Sequence, residues 1–228
     1  AGLPHDRRVA ILRAGARLED GFTPKSAFHQ LVRDAKLAAL TCHWEDDSGH
    51  LQIMRDGKPV ARGAPDTPVG QALLAQFFSA FLGVAGGGVK VVARPAKDGA
   101  QGFWDIPETW VSILNAASLR ELERVDDGAP AAAERFRPNL VVDLGAPWAE
   151  DGLVGAQFRI GDVAFEGVEP ITRCAATSVA PSGDPEAGAR DRNYLRLMSD
   201  SFDRMECGVY ARVIGQGAIA IGDTVTAA

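Results

Sequence analysis

"DVAFEGVEPITRCAAT", residues 162–177, is the stretch on which the reading of the C-terminal half turns. An apolar, strand-like run ends near Pro170 and is followed by Thr172, Arg173 and Cys174 in succession. Cys174 therefore stands where a strand passes into a loop, a place where sheet proteins put functional residues. Arg173 sets a fixed positive charge beside it, which favours thiolate over thiol. A thiolate there can serve as nucleophile, persulfide carrier or ligand for a soft metal. The competing reading is a small buried hydrophobe.

Strand candidates lie on both sides at short intervals: "NLVVDL", "AQFRIG", "DVAFEGVEP", "CGVYARVI" and "AIAIGDTV". Gly-Asp pairs at 161–162 and 222–223, and "GQG" at 215–217, punctuate them. Closely spaced strands with such turns predict a β-barrel or sandwich. "SVAPSGDPEAGARDRNY" interrupts the series as an exposed loop leading into a helix around 194–199. Before the series, "TWVSILNAASLRELERV" reads as an apolar segment feeding a short helix, with Asn115 as N-cap and Ser118 as the rival.

The N-terminal part is mixed. "RVAILR" at 8–13 reads as a strand, and "DSGHLQIMRDGKPVA" as strand, Asp-Gly turn, strand. "VGQALLAQFFSAFL" at 69–82 predicts a helix whose core stripe is Leu73, Phe77 and Phe81. "GVAGGG" stops it, and "VKVVAR" begins another strand. "ARPAKDGAQG" at 93–102 is Pro/Gly-rich and marks a loop or domain seam. The expected fold class is α+β, mostly β with some helix, divided into residues 1–95 and 96–228.

Composition bounds the function. The chain has 228 residues, 46% hydrophobic and 24% charged, with a net charge of −6. A core of useful size needs no disulfide at this length. The acid balance, pI near 5.3, argues against a nucleic-acid binder. No apolar run approaches the roughly 18 residues of a membrane span, and "AGLPHDRRVAILR" has no signal-peptide core. Three widely spaced cysteines, Cys42, Cys174 and Cys207, predict reduced thiols and a cytoplasmic setting. Cys42 and Cys207 are expected as packed structural thiols. Zinc spacing is absent, and the histidines, all in the N-terminal quarter, lack the context of a Cys–His hydrolase. "AGGGVK" is not a Walker loop, because Val91 follows Lys90 where Ser or Thr is required.

Cations cluster in this acidic chain. "ERFRPNLVVD" holds Arg135 and Arg137 around Phe136, and in an extended chain both project to one side. Surface carboxylates such as Asp143 or Glu150 could pair with them; so could a phosphate, which arginine grips bidentately. With "HDRR" at 5–8 and Arg173, three cationic clusters could build one anion pocket.

Three blocks, "RFRPNLVVD", "FRIGDVAFEGVEPITRCAATSV" and "CGVYARVIGQGAIAIGDTV", resemble the MOSC domain, named for the C-terminal domain of molybdenum cofactor sulfurases. "GLPHDRRVAILR" is similar to the β-rich domain that precedes MOSC in that superfamily. The resemblance implies a MOSC β-barrel packed against that domain, with the molybdenum–molybdopterin cofactor in a cationic cleft between them. It implies Cys174 as the molybdenum ligand, or in other members a sulfur carrier. Thr172 and Arg173 match residues lining the site. Arg137, Asn139 and Arg8 match positions that hold the pterin and its phosphate. Ser112, Asn115 and Ser118 lie in a segment that contacts cofactor in relatives, and Asp105 lies near where relatives place a carboxylate by the metal. Relatives carry a first strand with a Tyr-Pro-x-Lys-Ser type motif ahead of the Gly2-Leu3 block; that motif is not found in this sequence, and Lys25-Ser26, which lies after the block, is not a clear substitute for it.

The function so implied is an oxidoreductase that reduces N-hydroxylated or N-oxygenated small molecules. Its electrons come from an external flavin or iron–sulfur protein, since the chain carries no motif for either. The alternative is a persulfide-carrying, cofactor-handling protein without redox turnover. Neither nucleic acid nor membrane is an expected partner.

Overall fold

The computed structural model describes residues 5–84, 88–94 and 102–227. Two compact units divide the chain. One comprises Pro4–Thr109 with Val179–Asp191; the other comprises Trp110–Ser178 with Arg192–Ala228. Most of the expected seam at 93–102, and part of "GVAGGG", lies outside the described residues.

In the first unit, β1 (Val9–Leu12) pairs antiparallel with β5 (Lys90–Ala93). β2 (Leu40–Glu45), β3 (His50–Arg55) and β4 (Lys58–Gly63) form a meander. The β3–β4 turn is the predicted Asp56-Gly57 pair, both at positive φ (50° and 72°), as a two-residue hairpin of primed type demands. Leu51 and Ile53 alternate inward along β3. β2, which carries Cys42 and His43, was not anticipated, because "LTCHWE" lacks a clean alternation of apolar residues.

Helix α1 (Pro68–Leu82) starts on Thr67, whose hydroxyl accepts from the Gly70 amide at 3.0 Å, and stops on Gly83 at φ 70°. Its buried face is Gly70, Leu74 and Phe78, which meet Ile53, Val89 and Val91. This corrects the expected stripe by one residue: Leu73 is 51% exposed, and Phe77 stacks on Phe81 at 5.7 Å at the half-buried margin. Gly70 sets the rotation. A Cβ there would lie 2.0 Å from the Ala64 carbonyl oxygen, so the helix seats its backbone directly on the chain leaving β4.

The expected exposed loop after residue 178 is also corrected. Val179 and Ala180 are buried, Val179 bridges Arg190, and Arg190 donates to the Val32 carbonyl at 2.6 Å. Backbone bonds between Ala180 and Ala189 close the segment on itself. The polar composition of the insert conceals a short hairpin-like closure that belongs to the first unit.

The second unit is built on β6 (Val111–Asn115), α2 (Ala116–Val125), α3 (Ala133–Phe136) and β7 (Leu140–Val142). It continues with β8 (Gln157–Ile160), β9 (Val163–Thr172), α4 (Tyr194–Phe202), β10 (Glu206–Val213) and β11 (Val225–Ala227). The six strands run in the order β11-β8-β9-β10-β6-β7 and curl into a half-barrel. β6 and β7 pair in parallel, and the other pairs of neighbouring strands in this sheet are antiparallel. Every residue of β6 is buried because both of its faces are covered, the polar Ser112 and Asn115 included. One face holds Ile113, Phe158, Phe165 and Val209. The other packs Leu114, Leu122, Phe136, Tyr194 and Met198 beneath the helices. Each such side chain contributes about 1.5–3 kcal/mol by leaving water. Of "AIAIGDTV", only its last residue, Val225, enters a strand. The fold is α+β, as the residue pattern predicts.

Candidate functional site

The candidate site forms where β9 leaves its partner. Thr172 pairs with Glu206 at the end of the β9–β10 ladder, and the amide of Arg173 extends the pairing to the Met205 carbonyl at 2.9 Å. Between Glu206 and Val209 the register slips by one residue, so Cys207 and Gly208 form a bulge in β10. Gly208 sits at φ 83°, and a Cβ there would lie 2.5 Å from the Ile113 carbonyl oxygen and 3.0 Å from Arg173 Nη2.

Into that bulge Arg173 turns its side chain. Nε donates to the Cys207 carbonyl at 2.7 Å and Nη1 to the Phe136 carbonyl at 2.8 Å. Nη2 is buried, with no hydrogen-bond partner among the described residues. The guanidinium also lies over the Phe136 ring, 5.4 Å from its centroid. Burial pulls its pKa down, opposed by Cys207, Tyr210, Cys174 and Glu150.

Cys174 comes next and is exposed. Its carbonyl accepts from the Thr177 amide at 3.1 Å and the Thr177 hydroxyl at 3.0 Å, closing a 3-10 turn over Ala175–Ser178. Thr177 and Ser178 are buried, and the turn packs against α3 and α4. The thiol is thus held at the surface by a turn anchored from below. Cys207 is its opposite: burial pushes that thiol up to about 12, against a smaller pull from Arg173. Cys207 is a packed thiol, as expected. Cys42 is exposed on β2, which corrects the expectation of a packed one.

α3 is a single helical turn, so Arg135 and Arg137 do not share a face. Arg135 is buried over Tyr194 at 5.8 Å, while Arg137 is exposed at φ 55° as the C-cap. The extended-chain expectation for this pair fails because residues 133–136 coil. Of the carboxylates named for them, Asp143 binds Arg120 at 2.9 Å, and Glu150 is not on the surface at all.

Glu150 organises two of the residues expected near a cofactor, Asn115 and Ser118. Asn115 is the N-cap of α2; its Oδ1 accepts from the Ala117 amide, and its Nδ2 donates to Glu150 and to the Ala146 carbonyl at 2.8 Å. The Ser118 hydroxyl lies 2.8 Å from both Glu150 oxygens and accepts from the Trp148 amide at 2.9 Å. Asn115, Ser118 and Glu150 are all fully buried. Ser112, also buried, is bonded at its amide and hydroxyl to Asn139 Oδ1, both at 2.9 Å. These polar groups stitch β6 and α2 to the chain beyond them. Glu150 and Gly208 were missed; in "WAEDGL" and "ECGVY" an ordinary acidic turn and an ordinary strand glycine read the same way.

Arg8 and Asp105 belong to the first unit. Arg8 is buried; its Nη2 donates to Asp66, its Nε to the Arg94 carbonyl at 2.9 Å, and its guanidinium stacks 4.6 Å from the Trp44 ring centroid. Asp105 is exposed. Among the described residues no group of three or more His, Cys, Asp or Glu side chains gathers to hold a metal. No described helix is long and apolar enough to cross a membrane.

The site is thus a thiol exposed at the end of the longest strand of a six-stranded half-barrel, beside an arginine seated in the β10 bulge. The chain belongs to the MOSC domain family, whose model matches residues 101–226. Among curated proteins it is similar to a "Molybdenum cofactor sulfurase" of Drosophila mojavensis, 30% identical over 106 residues, covering 44% of this chain and 13% of that protein. A protein of the same name from Drosophila grimshawi is 29% identical over 120 residues, covering 50% and 15%. The match thus spans only a small part of the length of these relatives.

Proposed function

We propose that this chain binds the molybdenum–molybdopterin cofactor, with Cys174 as the protein's ligand to the metal, and reduces N-hydroxylated or N-oxygenated small molecules. The observation that carries the reading is the contrast between the two cysteines near Arg173: Cys207 is buried and held as a thiol, whereas Cys174 is open to solvent. Thiolate sulfur is a soft donor suited to such a metal. The donor set also fits a metal that arrives within a cofactor, since a single thiolate supplies the protein's share.

When bound, the cofactor supplies two-electron redox chemistry at molybdenum. The protein's own residues bind and orient it. Arg137, exposed at the end of α3, offers a planar fork to a phosphate, and Thr172, exposed at the end of β9, offers a hydroxyl to the pterin. Asn139 and Ser112 brace the strand beside Arg137. Asn115 and Ser118 act from the interior through Glu150. Arg8 and Asp105 enter this reading through the family resemblance alone. Electrons come from a separate flavin or iron–sulfur protein, and the setting is the reducing cytoplasm.

A second reading is favoured by the name borne by the similar Drosophila proteins. In it Cys174 carries a persulfide as a sulfur carrier in cofactor handling, without redox turnover of a substrate by this chain. Protein purified from a molybdenum-replete host separates the two. The reductase reading expects molybdenum near one atom per chain, reduction of an aryl amidoxime by a dithionite-reduced viologen, and loss of that activity in Cys174→Ala. Full activity in metal-free protein overturns it. Cyanolysable sulfur on Cys174 in the absence of molybdenum supports the second.

A further inference from the structure

A guanidinium that waits for an anionic ligand keeps N–H groups open to solvent until the ligand arrives. Arg173 does the reverse. Two of its nitrogens are committed to main-chain carbonyls, at 2.7 and 2.8 Å, and the third is sealed in the interior. Its seat exists because residue 208 has no side chain and because the β10 register slips there. The carbonyls it joins belong to Phe136 and Cys207, and the residue after Phe136 is the exposed Arg137.

We propose that Arg173 is a positioning residue: its guanidinium, seated against Gly208, ties the end of α3 to the β10 bulge and so fixes the turn that presents the Cys174 thiol, instead of gripping the cofactor. Lysine cannot replace it, because one ammonium does not span two carbonyls with a planar fork. Gly208 is the second member of the device. Alanine there meets Nη2 and the Ile113 carbonyl and takes up a strained φ.

The inference rests on Cys174 being the working thiol, and its test contains no cofactor. The protein has a built-in reference, since Cys42 is exposed in the other unit. Cofactor-free protein is treated with limiting iodoacetamide, and labelling of Cys174 is read against Cys42 by peptide mass spectrometry. Arg173→Lys, which keeps the charge, and Gly208→Ala, which keeps the arginine, are each expected to change the ratio about fivefold, the effect of one lost hydrogen bond. A ratio within about twofold of the parent in folded Arg173→Lys, less than one such bond is worth, overturns the proposal.

Where the variants do not fold, the unsubstituted protein still decides. Its Arg173 Nε–H resonance is expected to exchange slowly and to stay in place when inorganic phosphate or pyrophosphate is added. A phosphate-dependent shift of that resonance overturns the proposal. Absence of molybdenum from the purified protein bears only on the cofactor reading and leaves this test intact.

Discussion

Arg173 and Cys207 are joined by a 2.7 Å hydrogen bond from the guanidinium Nε to the carbonyl oxygen, across the bulge that interrupts the β9–β10 ladder. The bond places two cysteines around one half-buried cation with opposite fates. Cys207 faces the interior with Leu114 and Met198, and Cys174 faces water. The chemistry expected of each follows from that partition.

Native labelling with a thiol reagent should modify Cys174 and Cys42 and spare Cys207 until the protein is denatured. Cys174→Ala, at the surface, should change stability by no more than about 0.5 kcal/mol. Cys207→Ala leaves a small cavity and should cost about 1–2 kcal/mol, measured by urea denaturation. Equal labelling of Cys174 and Cys207 in folded protein contradicts the partition.

The same thiol makes an alkaline prediction. Its folded pKa is raised to about 12, so folded protein keeps the proton where unfolded chain, with an ordinary cysteine pKa near 8.5, gives it up. The contribution to stability is complete below about pH 8.5 and is lost as pH rises toward the folded value. Stability measured between about pH 8 and 10.5 should fall less steeply in Cys207→Ala than in the parent. Identical slopes contradict a buried protonated thiol.

Glu150 is a buried carboxyl that accepts hydrogen bonds from Asn115 and Ser118. Glu150→Ala leaves donors of both residues unsatisfied in the interior and should destabilise by about 2–4 kcal/mol in chemical denaturation. Glu150→Gln, which keeps the volume and one acceptor oxygen, should cost clearly less. A loss below about 0.5 kcal/mol in Glu150→Ala would place the side chain in water, against the observed burial.

Much of this arrangement is legible in the residues, and the failures have physical causes. The strand before Cys174, the Asp56-Gly57 turn and the Asn115 cap are local: alternation, positive φ and a side-chain oxygen at a helix start act within a few residues. The stripe on α1 fails by one position because "LLAQFFSAFL" is apolar on two adjacent faces, and the choice between them is made by Gly70 pressing on Ala64. Arg135 and Arg137 share a face only if the chain is extended there; the turn of α3 is stabilised by packing of Phe136 on Tyr194, a contact 58 positions away. Arg173 reads correctly as the neighbour of a functional thiol, but its direction depends on a register slip in a strand more than thirty residues on, which no local pattern reports.

The helix register has its own test. Leu74→Ala empties a fully buried site and should cost about 2–5 kcal/mol, whereas Leu73→Ala, at a position 51% exposed, should stay within about 0.5 kcal/mol. The reverse order in thermal or chemical denaturation contradicts the observed rotation of α1.

Molybdenum-edge X-ray absorption on protein from a molybdenum-replete host, compared with Cys174→Ser, tests the central claim most directly. Direct ligation by Cys174 predicts one fewer sulfur scatterer around molybdenum in the variant. An unchanged sulfur shell, with molybdenum present in both proteins, contradicts it.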